Sequence, residues 1–290
     1  MTIRVSLQHT TRYRYDRPVA LGPHEIRLAP APACRTPVAS YSLAVKPERH
    51  SMHWYQDAAG NHVARVVFQE KTPLLEITVE LAADLTAINP FEFLVDPAAL
   101  HFPFAYPEAS RHELASFLTV AESGELLRDW LQRFQASEKP AGRGTVALLV
   151  RVNERLKQDI AYVTRPEHGV QSCEETLKLR RGSCRDSGWL FAQVLRHLGI
   201  AARFVSGYLI QLAGESPDAP TTDRADLHAW TEVYLPGAGW VAFDPSSGLL
   251  ASASHIPLAR ASTPGLAAPI VGSVEPCRSQ MDYSMSLRRL

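Results

Sequence analysis

Three residues in the second half of the chain carry the side chains that nucleophilic acyl transfer requires. Cys184 has a thiol, His228 has an imidazole that exchanges a proton near neutral pH, and Asp244 has a carboxylate. A thiol nucleophile needs such a base, and the imidazole needs a partner on its other nitrogen that fixes its tautomer. The order of nucleophile, base and orienting carboxylate therefore predicts a catalytic Cys–His–Asp triad.

The segment GSCRDSGWLFAQVLRHLG has the signals of a helix that begins at Cys184. Ser183 is a good N-cap, Asp186 completes an approximate capping box, and Gly199 ends the helix. Apolar residues recur there at helical spacing: Leu190, Phe191, Val194, Leu195 and Leu198. A cysteine at a helix N-terminus lies at the positive end of the helix dipole, which favours its thiolate form. Taken alone, this cysteine fits a small buried core residue equally well.

The segment DLHAWTEVYLPGAGWVAFDP indicates a β-hairpin that carries the other two residues of the triad. Positions 228–235 and 240–244 alternate in polarity, and PGAG interrupts them. Residues that pair across an antiparallel hairpin have residue numbers with a constant sum, and His228 and Asp244 share a face only if that sum is even. If these two residues paired directly with each other, the turn would be centred on Pro236. Taken singly, the first residue fits a hydrogen-bonded strand histidine, and the second fits a turn residue before proline.

For several other residues near these motifs, the evidence that they belong to the site is weaker. Trp230 and Trp240 fall on the predicted His228 face, where they either wall a cleft or belong to the core. Tyr208 and Asp226 are candidates for the rim of that cleft. His255 is interpreted as a structural or exposed histidine and not as a second base.

Two blocks of sequence carry a family resemblance. GSCRDSGWLFAQVLRHLGIAARFVSGYL, followed by HAWTEVYLPGAGWVAFDP, strongly resembles the bacterial transglutaminase-like proteins of the papain-like cysteine-enzyme superfamily. VSLQHTTRYRYDRPVALGPHEIRLAP is similar to the β-rich region that precedes the catalytic core in one branch of that family. The resemblance spans most of the chain, starting near Ile3. It implies that Cys184 is the nucleophile, His228 the base and acid, and Asp244 the orienter.

The chain departs from the usual pattern of that family near the site. Ser187 stands where relatives carry an aromatic or small apolar residue, and Ser246 and Ser247 follow Asp-Pro in place of the commoner Asn or Thr. None of the three is expected to touch the triad. Lys178 occupies the spacing at which papain-like proteases carry an oxyanion-stabilising glutamine. The backbone N–H of Cys184 is expected to be one oxyanion donor, and the second is unassigned.

Alternating hydrophobic residues, together with the positions of turn-forming and proline-rich segments, predict an α+β protein. The first hundred residues read as strands, with a turn at 58–61, and predict an antiparallel β-sandwich-like domain over 1–108. A proline-rich segment, 90–107, is interpreted as the linker to the next domain. The catalytic core is expected over 109–250, where the nucleophile helix packs on an antiparallel sheet in a papain-like or transglutaminase-like arrangement.

Helical periodicity predicts two helices ahead of the nucleophile helix, near 123–134 and 145–159. Beyond residue 250 the pattern weakens into a segment rich in Pro, Ala and Ser. We expect 251–290 to be an irregular extension that packs on the core or completes a sheet, with a final strand near 281–287.

Composition and charge are those of a soluble globular protein. Of 290 residues, 46% are hydrophobic and 21% charged, and 30 basic residues balance 30 acidic ones. This balance argues against nucleic-acid and membrane partners. The four cysteines have neither metal-type spacing nor the density of a disulfide scaffold: Cys34, Cys173, Cys184 and Cys277. Together with the lack of an apolar signal core, these features indicate a cytoplasmic protein.

These features favour a cysteine-dependent enzyme that transfers an acyl group from an amide of a protein or peptide substrate. Resolution of the thioester by an amine gives transglutamination, whereas resolution by water gives peptidase or amidase activity, and both stay open. The competing class is a non-catalytic binding module in a larger assembly, against which the intact triad argues. No cofactor or metal is required, and no calcium-loop motif is found. The oligomeric state is open.

Overall fold

The N-terminal region of the protein, up to residue 86, is built from strands. The computed structural model describes residues 2–214 and 220–290. The strands of this region are β1 (Thr2–Val19), β2 (Leu21–Ile26), β3 (Val38–Lys46), β4 (His50–Gln56), β5 (His62–Phe68) and β6 (Thr72–Thr86), joined by the C-terminal strands β14 (Ile270–Val274) and β15 (Ser279–Arg289). They form two four-stranded sheets, in the orders β15-β1-β6-β3 and β14-β2-β5-β4.

Alternating side chains explain why the longest of these strands pair. Leu7 of β1 lies opposite Leu81 of β6, and the same face of β1 buries Val5. Successive residues of a strand point to opposite faces, so this alternation gives each sheet one apolar face for the core. The two sheets are antiparallel throughout, as the sequence predicts for the first hundred residues.

The turn expected at 58–61 joins β4 to β5. The Asp57 carboxylate accepts hydrogen bonds from the backbone N–H groups of Ala59 and Asn61, each at 3.0 Å. Gly60 has a φ of +80°, which glycine adopts without steric cost. An aspartate that binds its own backbone two residues later is a standard turn device.

Helices dominate the next part of the chain. The proline-rich segment includes one 3₁₀ turn at Pro97–Ala99. The following elements are α1 (Glu108–Glu113), α2 (Ala115–Leu118), α3 (Glu125–Glu138), α4 (Thr145–Asp159), β7 (Ala161–Tyr162), α5 (Cys173–Leu179), β8 (Arg181–Gly182) and α6 (Cys184–His197). The two helices predicted before the nucleophile helix are α3, which ends later than predicted, and α4, which has the predicted bounds.

The nucleophile helix α6 packs on a five-stranded antiparallel sheet, so the fold is α+β as predicted. The strands of this catalytic sheet are β9 (Ala202–Gln211), β10 (Arg224–Leu235), β11 (Gly239–Asp244), β12 (Leu249–Leu250) and β13 (His255–Ala261). Their order is β12-β11-β10-β9-β13. The Thr231 hydroxyl of β10 donates to the Gly188 carbonyl of α6 at 2.6 Å, and Phe191 of α6 contacts Phe243 of β11.

The C-terminal segment is more regular than the irregular extension that the sequence predicts. β13 forms one edge of the catalytic sheet, and β14 and β15 return to the sandwich as outer strands of its two sheets. A shared apolar cluster joins the two regions, since Leu7 and Val79 of the sandwich belong to the same buried group as Tyr208 and Ile256. Within the described ranges, no helix has both the length and the apolar character needed to span a membrane.

Candidate active site

Cys184 is the first residue of α6 and is 9% exposed. Ser183 precedes it in an extended conformation as the N-cap. The Asp186 carboxylate accepts hydrogen bonds from the backbone N–H and the hydroxyl of Ser183, both at 2.8 Å, which gives the predicted capping box. The thiol therefore lies at the positive end of the helix dipole.

Asp186 connects the start of α6 to the loop that precedes α5. Its carboxylate accepts hydrogen bonds from Arg165 Nε at 3.0 Å and from the backbone N–H of Gln171 at 2.8 Å. Burial alone would raise the pKa of Asp186, but the hydrogen bonds from Arg165, Gln171 and Ser183 hold it below its ordinary value. This residue positions the helix that carries the thiol.

His228 and Asp244 meet on the catalytic sheet. His228 lies within β10, Asp244 ends β11, and both are buried. The Nε2 atom of His228 lies 3.0 Å from Oδ2 of Asp244, which leaves Nδ1 as the ring nitrogen available to a nucleophile. The Cys184 thiol is close enough to this ring to help raise its pKa. The structure thus brings the three predicted residues together.

The hairpin register differs from direct opposition of His228 and Asp244. β10 and β11 pair Leu235 with Gly239, so the turn is centred on Gly237 and not on Pro236. Gly237 and Gly239 have φ values of +84° and +72°, a conformation that favours glycine and sets the length of this turn. The two residues are diagonal neighbours on one face. The predicted face was right, and the predicted opposition was wrong.

Both oxygens of the Asp244 carboxylate accept hydrogen bonds from neighbouring residues of the site. Oδ1 accepts from the backbone N–H of Ser246 at 2.9 Å and from its hydroxyl at 2.7 Å. Oδ2 is shared by the Nε2 atoms of His228 at 3.0 Å and His255 at 3.5 Å. The expectation that Ser246 avoids the triad was wrong, because the turn after Asp-Pro folds its hydroxyl back onto the carboxylate.

His255, which the sequence led us to interpret as a structural or exposed histidine outside the site, contacts Asp244 and is largely buried. Its Nδ1 accepts the backbone N–H of Ser252 at 3.3 Å, so the proton is on Nε2 and is donated to Asp244. β13 pairs with β9 on the far side of β10 from β11, yet it brings His255 to the end of β11. No local pattern around residue 255 signals this approach, which depends on the order of the strands.

The charges of the site stabilise one another. Burial by itself lowers the pKa of His228, but the hydrogen bonds and negative charges of Asp244 and Cys184 outweigh burial and raise it to about 10. Burial would raise the pKa of Asp244, but His228 and His255 hold it far below its ordinary value. At neutral pH the His228 ring is therefore an imidazolium beside an ionised carboxylate.

Trp230 belongs to the core and supports the His228 ring. It is 1% exposed, and its ring stacks on that of His228 with centroids 6.3 Å apart. Gly207 of β9 permits this packing, because a Cβ atom there would lie 2.3 Å from the Ile256 carbonyl oxygen and 2.4 Å from the Trp230 ring. Any larger residue at this position would displace the indole.

Tyr208 does not line the cleft, and that prediction was wrong. β10 pairs His228 with Gly207 and Leu227 with Tyr208, so Tyr208 points to the opposite face of the sheet from His228. Its side chain is fully buried, and its hydroxyl lies 2.9 Å from Nδ1 of His9 in the sandwich. The residue joins the two regions of the protein.

The opening of the site carries exposed polar side chains. Asp226 is exposed on the face of β10 that carries His228. Tyr162 of β7, which the sequence analysis did not single out, is 50% exposed. Burial of part of its ring raises the pKa of Tyr162, and the nearby charges of Cys184 and Asp226 add to the shift. Tyr162 is therefore close both to the thiol and to Asp226.

His228, Asp244 and His255 also offer metal-type donors, with ligand atoms within 4.8 Å of one another. Both histidine nitrogens, however, are directed at the same carboxylate oxygen. A cation bound there would displace the two hydrogen bonds that orient Asp244.

Family comparison agrees with the architecture. Residues 5–84 match the bacterial transglutaminase-like N-terminal region, and residues 128–245 match the transglutaminase-like superfamily. Together these two matches span more than half of the chain. The protein therefore belongs to the bacterial transglutaminase-like proteins, a family of papain-like enzymes, as the sequence resemblance predicted.

Individual relatives show how far the similarity extends. An uncharacterised protein of Mycobacterium tuberculosis is 26% identical over 89% of this chain and 83% of its own length. The protein-glutamine gamma-glutamyltransferase of Pseudomonas aeruginosa is 33% identical over 102 residues, which are 34% of this chain and 15% of that protein. A solved structure described as a "Putative Cysteine Protease" from Cytophaga hutchinsonii shares the fold, with a TM-score of 0.71, 17% identity and coverage of 100% and 91% of the two chains.

Proposed function

We propose that the protein is a cysteine-dependent acyl-transfer enzyme that acts on amide groups of protein or peptide substrates through a thioester on Cys184. The observation that carries the proposal is the convergence of a thiol at a helix N-terminus with a buried His228–Asp244 pair whose atoms lie 3.0 Å apart. Three separate elements, α6, β10 and β11, supply these groups. A triad is recognised by such geometry and roles.

The first half-reaction transfers the acyl group to the enzyme. The Cys184 sulfur forms a bond to the amide carbon, and the backbone N–H of Cys184 donates to the developing oxyanion. The carbon–nitrogen bond then breaks, and the proton of the His228 imidazolium passes to the departing nitrogen. Asp244 keeps the ring in place and stabilises its positive charge before the transfer. The products are a thioester, a neutral imidazole and a free amine or ammonia.

The second half-reaction regenerates the enzyme. An amine or a water molecule attacks the thioester carbon, and neutral His228 accepts the proton that the attacking group loses. The carbon–sulfur bond breaks, and Cys184 leaves as a thiolate beside the renewed imidazolium. An amine gives a new amide, whereas water gives a carboxylic acid.

We favour a glutamine side chain as the acyl donor. The core of the chain is 33% identical to part of a protein-glutamine gamma-glutamyltransferase, and this match supports a γ-amide substrate. Hydrolysis of an amide by the same thioester is the second candidate reaction, because the chemistry of the two differs only in the group that attacks last.

The test offers glutaminyl peptides with and without a primary amine and follows ammonia release and peptide mass. Ammonia release with amine incorporation identifies transamidation, and ammonia release with conversion to glutamate identifies hydrolysis. Cys184→Ala should abolish both, while Cys277→Ala, which alters a half-buried cysteine outside the triad, should not. Turnover by the Cys184→Ala variant would refute the mechanism. A wild-type protein that neither turns over peptides nor reacts quickly with iodoacetamide at Cys184 would be a binding module instead.

A further inference from the structure

A cavity of about 250 Å³ lies beside the triad on the face of the catalytic sheet that carries His228. Two residues separate it from the catalytic groups. Trp230 lines the cavity and stacks on His228, and His255 lines the cavity and contacts Asp244. Neither Cys184 nor His228 is part of the lining. The cavity is therefore distinct from the thiol but in contact with the residues that support the triad.

The interior of the cavity has an excess of positive charge. Arg203 and Arg260 line it, and both pair with Glu232, at 2.5 Å and 3.2 Å. All three side chains are largely buried. Glu232 is the single carboxylate among the described residues of the lining, so two buried guanidiniums share one negative charge. A buried charge without a full partner is costly, and a bound anion would remove that cost.

The mouth and walls of the cavity add further features of a ligand site. Arg35, which is exposed, stands at the mouth as a third guanidinium. Trp240 forms a flat apolar wall, and the Arg203 guanidinium lies over its ring at 4.0 Å. The cavity therefore has a charged mouth and one flat apolar side.

Burial and electrostatics of Arg203 agree with a shortage of negative charge. Burial lowers the pKa of Arg203 below its ordinary value, Glu232 opposes this shift, and the charge of Arg260 adds to it. A carboxylate presents two coplanar oxygens that match the fork of a guanidinium. The cavity is smaller than the sites that hold drug-sized ligands, which limits the ligand to a small acid or a single side chain or terminus.

We propose that this cavity binds the carboxylate group of a small ligand, held by Arg260 and Arg35. The shared chemistry has two sources: a free carboxylic acid, or a carboxylate carried by the peptide substrate. Occupancy would be felt at the triad because Trp230 and His255 form the common wall. The binding step does not depend on the thioester chemistry.

The experiment measures binding by calorimetry to the Cys184→Ala protein, so that its result does not depend on turnover. Acetate, benzoate and glutarate are compared with their neutral amides, acetamide, benzamide and glutaramide. We expect at least one acid to bind saturably and its amide to bind roughly tenfold or more weakly, because hydrogen bonds between charged groups are the stronger ones. Added salt should weaken binding of the acid but not of the amide.

Two variants locate the site. Arg260→Gln should weaken binding of the acid about tenfold, and Arg35→Gln, at the exposed mouth, should weaken it a few-fold. Arg111→Gln changes an exposed arginine of α1 and should bind as the parent protein does. Because Arg260 is buried, thermal unfolding of each variant is compared with the parent, and Arg35→Gln keeps the test informative if Arg260→Gln fails to fold.

Specific outcomes would overturn the proposal: no acid binds, acids and amides bind equally, or neither arginine variant weakens binding. The source of the carboxylate is decided on the active wild-type enzyme. Competition between the acid and a glutaminyl peptide would identify a substrate carboxylate, whereas an effect on kcat alone would identify a separate ligand. Binding to an otherwise inactive protein would leave this proposal standing while the proposed function fails.

Discussion

Two buried histidines lie on opposite faces of the catalytic sheet and differ in charge. His228 is 8% exposed, and Asp244 and Cys184 overcome the effect of burial to raise its pKa to about 10. His9 of β1 is fully buried where the sandwich meets the sheet, and burial lowers its pKa to about 4. Its neighbours are the hydroxyls of Tyr208 and Thr11, each at 2.9 Å. Burial is similar, so the chemistry of the partners decides the charge.

One step along β9 separates these two environments. Gly207 lies under the triad, and the next residue, Tyr208, points to the sandwich. The same sheet therefore presents an ionised face for chemistry and a neutral face for packing. Stabilising a charge in the interior requires an opposite charge, whereas a neutral histidine requires only hydrogen-bond partners.

Removal of the thiol should have the largest effect, and it should be confined to the ionised face. We expect Cys184→Ala to lower turnover by at least about 10⁴-fold, because the remaining groups of a triad contribute little without the nucleophile. The free energy of unfolding should change little, since the substitution removes one atom from a residue at a helix start. Ammonia release and urea unfolding measure the two quantities. Loss of folding in parallel with activity would contradict the separation of the two faces.

Removal of the charge of Asp244 tests whether the partner sets the state of His228. We expect Asp244→Asn to lower turnover by about 10³- to 10⁴-fold, because the amide neither stabilises the imidazolium nor enforces the required tautomer. The pKa of His228 should fall in this variant. Titration of the histidine ring signals by NMR measures it, with His9 as the internal control. An unchanged His228 titration would show that Asp244 is not the source of the shift.

Acid should reduce the free energy of unfolding through His9, on the neutral face of the sheet. The pKa of His9 is about 4 in the folded protein, against an ordinary value of 6.5, so the unfolded chain binds more protons between these values. Its contribution is present above pH 6.5 and is lost as pH falls towards 4, by roughly 3 kcal/mol. His228 acts in the opposite sense: because its pKa is raised from 6.5 to about 10, its contribution is fully present below pH 6.5 and is lost progressively as pH rises towards 10.

The measurement is urea unfolding at pH 7 and pH 4 for the wild type and for His9→Gln. The variant cannot take up the proton, so the wild type should lose roughly 3 kcal/mol more than the variant between the two pH values. Equal losses would show that His9 is not a buried neutral histidine.

Sequence alone predicted the features that depend on local signals. The helix start at Cys184 follows from its cap and periodicity, and the shared face of His228 and Asp244 follows from strand alternation. These features are determined by residues within a few positions of one another. The cytoplasmic location rests on composition alone and stays a prediction.

Features that depend on the order of strands were missed or wrong. Tyr208 was placed at the cleft because the pairing of β9 with β10, which decides its face, was unknown. His255 reaches Asp244 from β13, and this contact has no local signature in the sequence because the packing of the whole sheet sets it. Ser246, by contrast, lies two residues after Asp244, and its contact is a local turn that was not recognised from the sequence.

His255 allows the finest test of the ionised face. Its Nε2–H is the second histidine donor to Asp244, at the long distance of 3.5 Å, so it acts by positioning the carboxylate and does not touch the substrate carbonyl. We expect His255→Phe to lower kcat about tenfold, as one lost hydrogen bond to a charged group would. His255→Gln, which retains an N–H donor, should recover part of the activity. The pH dependence of kcat separates this positioning role from a merely structural one. Loss of a donor to Asp244 strengthens the remaining hydrogen bond between Asp244 and His228. The alkaline limb of the kcat profile should therefore shift to higher pH in His255→Phe but not in His255→Gln. Identical profiles and equal rates for both variants and the wild type would mean that Ser246 and His228 alone hold Asp244 in place.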